Sequence, residues 1–105
     1  MAKIKFVLSA QPTFKAKVAL PVAGSEPAMV EFTFKHRNKD EFQDWVKELG
    51  EKDDVDLILE VASAWELAEP FDRDSLETLT QDHMGSARAV LEKYISEQTN
   101  AKLGN

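Results

Sequence analysis

The sequence contains no cysteine, only four glycines and no long apolar run. Without cysteine, disulfides, thiolate zinc sites and cysteine nucleophiles are excluded. The glycines are scattered and do not form the glycine-rich loop that holds phosphate groups. No segment approaches the roughly 20 apolar residues that cross a bilayer, and the first residues lack a signal-peptide pattern. We predict a cytoplasmic protein without a membrane partner.

Groups arranged for chemistry are also scarce. The two histidines, His36 and His83, have no second ligand at metal-binding spacing. Asp72 and Asp74 start like a calcium loop, but that loop would need glycine and glutamate where the chain has Glu77 and His83. No serine stands in the motif of a nucleophile. We predict no catalytic residue, no metal, no cofactor and a non-enzymatic protein.

Charge is distributed unevenly along the 105 residues, whose net charge is −6. Residues 1–37 hold six Lys/Arg against two Glu, a balance of +4, and residues 38–105 hold seven against seventeen Asp/Glu, a balance of −10. An acidic body argues against a large duplex-binding surface, because phosphate contacts need clustered cations. We interpret the acidic excess as an aid to solubility.

Three N-terminal segments, 3–8, 14–20 and 29–35, alternate between apolar and polar residues. This period of two predicts strands with one buried face. The buried face would carry Phe6, Phe14, Phe32 and Phe34, and the wet face would carry lysines 3, 5, 15, 17 and 35. Lysines without interleaved aromatics are more typical of protected strands than of a base-stacking surface, so we predict no nucleic-acid partner.

The remainder has helical spacing. Asn38 and Glu41 form a capping box, and Asp53 or Asp54 can cap a second helix whose stripe runs from Val55 to Trp65. Further predicted start and stop signals are Gly50, the pair Asp74 and Glu77, Gly85 and Ser86. We predict one α+β domain over 1–105: a three-stranded antiparallel meander in 1–37, about four short helices in 38–98, and a frayed tail in 99–105.

Four aromatic side chains are candidates for partner binding: Trp45, Trp65, Phe71 and Tyr94. Each lies on an apolar helical stripe or just after one, where core packing is the alternative role. Phe71 follows a proline in a connecting segment and is the best placed for the surface.

The second half of the chain resembles the tail assembly chaperones of long-tailed bacteriophages. The resemblance rests on the following anchors: Ala64-Trp65-Glu66-Leu67, Pro70-Phe71, Asp74-x-Leu76-x-x-Leu79, Gly85-Ser86-Ala87-Arg88-Ala89-Val90, Tyr94 and a polar tail ending in Gly104-Asn105. It implies a protein that binds the helical tape measure protein, associates with itself and keeps its client soluble while tail tube protein polymerises. It also implies a longer, frameshifted form that recruits the tube protein.

Another class of function remains open. The −10 balance of residues 38–105 also fits a small acidic inhibitor or DNA mimic that binds a basic nucleic-acid enzyme. Such binding would weaken steeply with salt, because it depends on long-range charge attraction. Binding of an apolar helix would not weaken steeply with salt.

Overall fold

The computed structural model describes residue 4 and residues 6–99. An antiparallel sheet has the strand order β1 (Thr13–Leu20), β2 (Ala28–Lys35) and β3 (Ala62–Trp65). The helices are α1 (Lys39–Lys47), α2 (Asp54–Val61), α3 (Arg73–Asp82) and α4 (Ser86–Thr99), with a 3₁₀ turn at Leu49–Glu51. The predicted α+β class, with a three-stranded antiparallel sheet and about four short helices, is confirmed.

Strands β1 and β2 form a regular hairpin in which Val18 lies opposite Val30 and Phe14 opposite Phe34. The connecting loop contains Gly24 at φ 77°, a left-handed conformation that glycine adopts without steric cost. Alternation places apolar residues on the face that the helices cover and exposes Lys15 and Lys17 on the other. The predicted strands 14–20 and 29–35 are therefore confirmed.

The third strand is not the predicted segment 3–8. In the described part of that segment, Ile4 and residues 6–8 form no strand, and Phe6 is 77% exposed instead of buried. Lys3 and Lys5 lie outside the described residues. The third place is taken by β3, which pairs Trp65 with Phe32 on the far side of β2. The backbone groups of β2 that face away from β1 need partners, and β3 supplies them.

The predicted second helix is consequently shorter than its apolar stripe. Helix α2 ends at Val61, and Ala62 turns into extended backbone instead of continuing to Trp65. Pairing with β2 prevails over the helical periodicity here, because tertiary contacts routinely override local propensity.

Helix starts follow the predicted chemistry in part. The capping box of Asn38 and Glu41 is present, and Asp53 caps α2 by accepting from the amide of Asp56. Helix α3 is capped by Asp72, two residues before the predicted Asp74. Helix α1 ends at Lys47 and passes into the 3₁₀ turn, so the chain leaves it before Gly50.

The break at Gly85 is confirmed, with φ at +91°. Ser86 does not cap α4 with an accepting oxygen: its hydroxyl donates to the carbonyl of His83 at 2.7 Å and is fully buried. Gln98 near the predicted frayed tail is held by two hydrogen bonds to the backbone of Arg37. Residues 100–105 lie outside the described part of the chain.

The core lies between the sheet and the helices. Helix α4 packs across β1, α2 and α3, and presents Val90 and Tyr94 to the interior. The sheet contributes Val18, Phe32 and Phe34, each fully buried. Because helices cover only one face, the outer face of the sheet is left to solvent, as the sequence alternation predicts.

Candidate partner-binding site

A groove of about 330 Å³ lies between helix α3 and the connection that follows β3. Its lining residues are Trp65, Leu67, Glu69, Ser75, Thr78, Leu79 and His83. We call it the α3 groove. It combines a large aromatic, two leucines and a few polar groups, which is the composition of sites that hold an apolar side chain of a partner.

Trp65 forms one wall of the α3 groove and is half-buried. Its position follows from β3, because pairing with Phe32 fixes the backbone at the end of the sheet. The indole Nε1–H donates to the carbonyl of Glu69 at 2.8 Å. This bond ties the ring to the connecting segment, so the wall of the groove and its loop form one unit.

Phe71 stands beside Trp65, with the two ring centroids 5.2 Å apart in an edge-to-face arrangement. Both rings also meet Phe32 edge-to-face, at 5.8 Å from Trp65 and 6.4 Å from Phe71. Pro70 restricts the backbone before Phe71, and the Asp72 cap begins α3 directly after it. Pro70 and the start of α3 therefore hold the half-buried Phe71 ring in a defined position at the surface.

Met84 adds an exposed apolar side chain next to the α3 groove. It follows the groove residue His83 in the turn between α3 and α4 and is 84% exposed. Methionine is flexible and polarisable, and adapts to differently shaped apolar partners. The groove, the half-buried ring pair and Met84 are the candidate partner-binding surface.

The electrostatics of the α3 groove are acidic. Glu69 lines it and the exposed Glu66 stands nearby on the same connection, while its lining includes no Lys or Arg. Glu66 also accepts a hydrogen bond from the amide of Glu31 at 2.8 Å, which fastens the connection to β2.

The other two predicted candidates, Trp45 and Tyr94, lie in the interior. Trp45 is 5% exposed and Tyr94 is fully buried, and their centroids are 5.3 Å apart in an edge-to-face arrangement. The structure thus brings the four aromatics together as two separate pairs. A row formed by Phe32 and Phe34 connects them along the inner face of the sheet.

Arg37 holds the Trp45–Tyr94 pair in place and was not singled out by the sequence. Its guanidinium donates to the Tyr94 hydroxyl and to the Glu60 carbonyl, each at 3.0 Å. It also lies over the Trp45 ring at 5.2 Å and the Tyr94 ring at 5.8 Å. Trp45 Nε1–H in turn donates to the carboxylate of Glu60 at 3.0 Å. The signal was a lone arginine directly before a capping box, which is too weak to predict such a role.

Burial raises the pKa of the Tyr94 hydroxyl above its ordinary value, and the hydrogen bond and charge of Arg37 partly oppose that shift. The hydroxyl also donates to the carbonyl of Lys35 at 2.8 Å. A neutral hydroxyl can both donate and accept, whereas a phenolate could not donate. These contacts give Tyr94 a structural role, since its hydroxyl bonds to Arg37 and to the Lys35 carbonyl inside the fold.

Among the described residues, no group of three or more acidic or histidine side chains is placed to hold a metal ion. No helix in residues 4 and 6–99 is long and apolar enough to cross a membrane. The predicted absence of cofactors stays a prediction.

A protein-family model described as phage tail assembly chaperone matches residues 1–105, the whole chain. The chain belongs to the phage tail assembly chaperone family. No curated protein and no solved structure matches it. Membership in this family implies protein partners in tail assembly. The α3 groove is the candidate surface for such a partner in this chaperone-family chain.

Proposed function

We propose that the chain is a non-enzymatic chaperone that binds the tape measure protein and promotes assembly of the tail tube around it. It acts in the host cytoplasm during phage assembly. The observation that supports this proposal is the surface formed by Trp65, Phe71 and Met84 beside the α3 groove. A long helical client exposes repeated apolar side chains, and each copy of the chaperone would shield one segment of it.

The chemistry of the surface suits such a client. An amphipathic helix binds a groove through apolar anchors one turn apart, and an aromatic wall supplies much of the contact area. The acidic groove rim would favour basic residues beside those anchors. The net charge of −6 would keep the client complex soluble.

Covering a long client requires many copies, so we also propose that the chain associates with itself. A repeating head-to-tail contact lets a small domain extend along a helix without a fixed stop. The tail tube protein is proposed to bind through a longer, frameshifted form of the chain. That form would couple the coated client to tube growth.

The test is co-expression of the chain with the tape measure protein from the same phage genome. Client that stays soluble and co-purifies supports the proposal. Phe71→Ala and Trp65→Ala are expected to lower client recovery at least about tenfold, since a buried aromatic anchor contributes about 2 kcal/mol or more to binding. Phe42→Ala is the matched control, because Phe42 is also half-buried but lies in α1 beside Trp45.

Two results would contradict the proposal. One is a tape measure protein whose solubility does not depend on the chain. The other is equal loss of binding for Phe71→Ala and Phe42→Ala, which would place the effect in general stability. Recovery of a basic nucleic-acid enzyme that dissociates steeply with salt would instead favour an acidic inhibitor.

A further inference from the structure

Two features of the N-terminal part complement each other but are not paired with each other within the described residues. One is the arm, residue 4 and residues 6–8, in which Ile4, Phe6, Val7 and Leu8 are strongly exposed. The other is the outer edge of β1, along which no strand pairs within residues 4 and 6–99. We propose that the arm of one copy pairs, as an added strand, with the β1 edge of a second copy. This rests on the proposed self-association and specifies its contact.

The β1 edge has regularly spaced backbone groups ready for pairing. The His36 amide donates to the Pro12 carbonyl at 2.9 Å, which continues the β1–β2 register by one pair. Bonded and non-bonded pairs alternate along an antiparallel ladder, so Phe14 and Ala16 direct their backbone groups to β2. The alternate residues, including Lys15 and Lys17, direct their N–H and C=O groups outward. Strand β1 is eight residues long and regular, whereas the other edge, β3, has four residues and a register shift.

The arm has the sequence of a strand that fits this edge. Ile4, Phe6 and Leu8 share one side under period-two alternation, and Val7 lies on the other. The inner face of β1 is incompletely covered near its start, where Phe14 and Ala16 are only half-buried. An added strand would place its apolar side chains beside them on the same face. Burial of that side would remove exposed apolar area from water in both copies.

The link between arm and β1 disfavours pairing within one chain. It consists of Ser9-Ala10-Gln11-Pro12 and lacks the Gly, Asn or Asp that tight hairpin turns use for left-handed positions. Pro12 also steers Gln11 toward extended backbone. In the structure Ile4 and residues 6–8 form no strand with β1 of the same chain, so the β1 edge of another copy is an accessible partner.

The contact would be heterologous, because each copy gives an arm and receives one. Such a contact propagates into a chain of copies or closes into a ring. Lys15 and Lys17 are exposed on the outer face of the edge, and the sequence at the arm adds the positive charges of Lys3 and Lys5. Their repulsion limits the affinity, so association is expected to strengthen when salt rises.

The test is the association state of the full chain over a range of concentrations, measured by analytical ultracentrifugation. Lys17→Pro removes an outward N–H and leaves the β1–β2 ladder intact, since proline is tolerated on the open side of an edge strand. It is expected to weaken association at least about tenfold. Lys17→Thr, which loses the charge and keeps the N–H, is the control and should associate at least as well as the original chain.

Substitutions in the arm test the same contact, because the arm lies outside the strands and helices of the domain. Phe6→Ser should weaken association strongly and Val7→Ser much less, because Phe6 alone of the two faces the neighbour's core. Equal effects would contradict a strand. Association that persists after removal of residues 1–8 would overturn the arm proposal while self-association stands. A chain that is monomeric at every concentration would overturn both.

The absence of cysteine allows a direct check of the partner. Copies carrying Val7→Cys are mixed with copies carrying Lys15→Cys, Lys17→Cys or Ala19→Cys, and oxidised. A disulfide-linked heterodimer in one of these mixtures supports exchange between copies. A disulfide within one chain of the dilute Val7→Cys/Lys17→Cys variant would overturn it. Client binding through the α3 groove is measured separately on the same variants. Its outcome does not depend on the outcome for the arm contact.

Discussion

The Trp45–Tyr94 and Trp65–Phe71 pairs use similar residues for opposite purposes. In the first pair, Arg37 from the end of β2 binds the hydroxyl and covers both rings, and the pair is sealed inside. In the second, the indole of Trp65 donates to the Glu69 carbonyl, and both rings remain half-exposed beside a groove. Neighbouring elements close over the first pair, whereas the second lies where the sheet ends and is left half-exposed.

The largest difference between the pairs is expected in stability. Tyr94→Ala should lower the free energy of unfolding by about 3–5 kcal/mol, because it leaves a large cavity and orphans its hydrogen-bond partners. Phe71→Ala should lower it by only about 1–2 kcal/mol, since half of its surface is already in water. Urea denaturation of both variants gives the comparison. Equal losses would mean that Phe71 belongs to the core.

Arg37 is expected to have the next largest effect. Arg37→Met should lower the free energy of unfolding by about 2–3 kcal/mol, because it removes charge-assisted hydrogen bonds to Tyr94 and Glu60. Arg37→Lys keeps the charge but cannot form both bonds in the same planar geometry, so an intermediate loss is expected. A Lys variant as stable as the original chain would show that charge alone suffices. Client binding should not change in either variant that remains folded.

Replacing the indoles separates the pairs by function. Trp45→Phe and Trp65→Phe each delete one Nε1–H bond, to Glu60 and Glu69 respectively, and each should cost about 1 kcal/mol of stability. Only Trp65→Phe should also weaken client binding, because it releases a wall of the α3 groove. Calorimetric titration with a client helix, beside thermal unfolding, measures both effects. If both substitutions reduced client affinity equally, the two aromatic pairs would not differ in client binding.

The smallest effect is expected from alkaline pH. Folding raises the pKa of Tyr94 above its ordinary value of 10.0, so the native state keeps the proton longer than the unfolded state. The unfolded chain then binds fewer protons, and stability falls as pH rises above about 10. Tyr94→Phe should be less stable at neutral pH but should lose less of its remaining stability above pH 10. The slope of unfolding free energy against pH is the measurement, and identical slopes would contradict it.

Local signals in the sequence predicted what depends on a few neighbouring residues. The box of Asn38 and Glu41, the break at Gly85 and the β1–β2 alternation are all present, because capping and pleating act within one turn or one strand. The strand at residues 62–65 was missed, since its apolar spacing continued the helical stripe of α2. Exposure of Phe6 was missed for the converse reason: alternation shows that a segment can pair, and not that a partner is present.

The candidate site was predictable only as a set of residue types. Phe71 stood out through its position after Pro70, and the structure places it at the surface beside Trp65. The division of the four aromatics into two pairs could not be read from spacing, because Tyr94 and Trp65 both lie on apolar stripes. Their partner-binding roles remain predictions, and the structure directs the proposal to Trp65 and Phe71.

By itself the sequence determined the α+β class, the caps at Asn38 and Asp53, the acidic balance and the resemblance to tail assembly chaperones. The tertiary structure alone decided which segment completes the sheet, which aromatics are sealed and where the groove opens. The physical reason is one of range. Periodicity and capping are satisfied by residues a few positions apart, whereas the open edge of β2 and the cover over each ring are supplied by residues dozens of positions away.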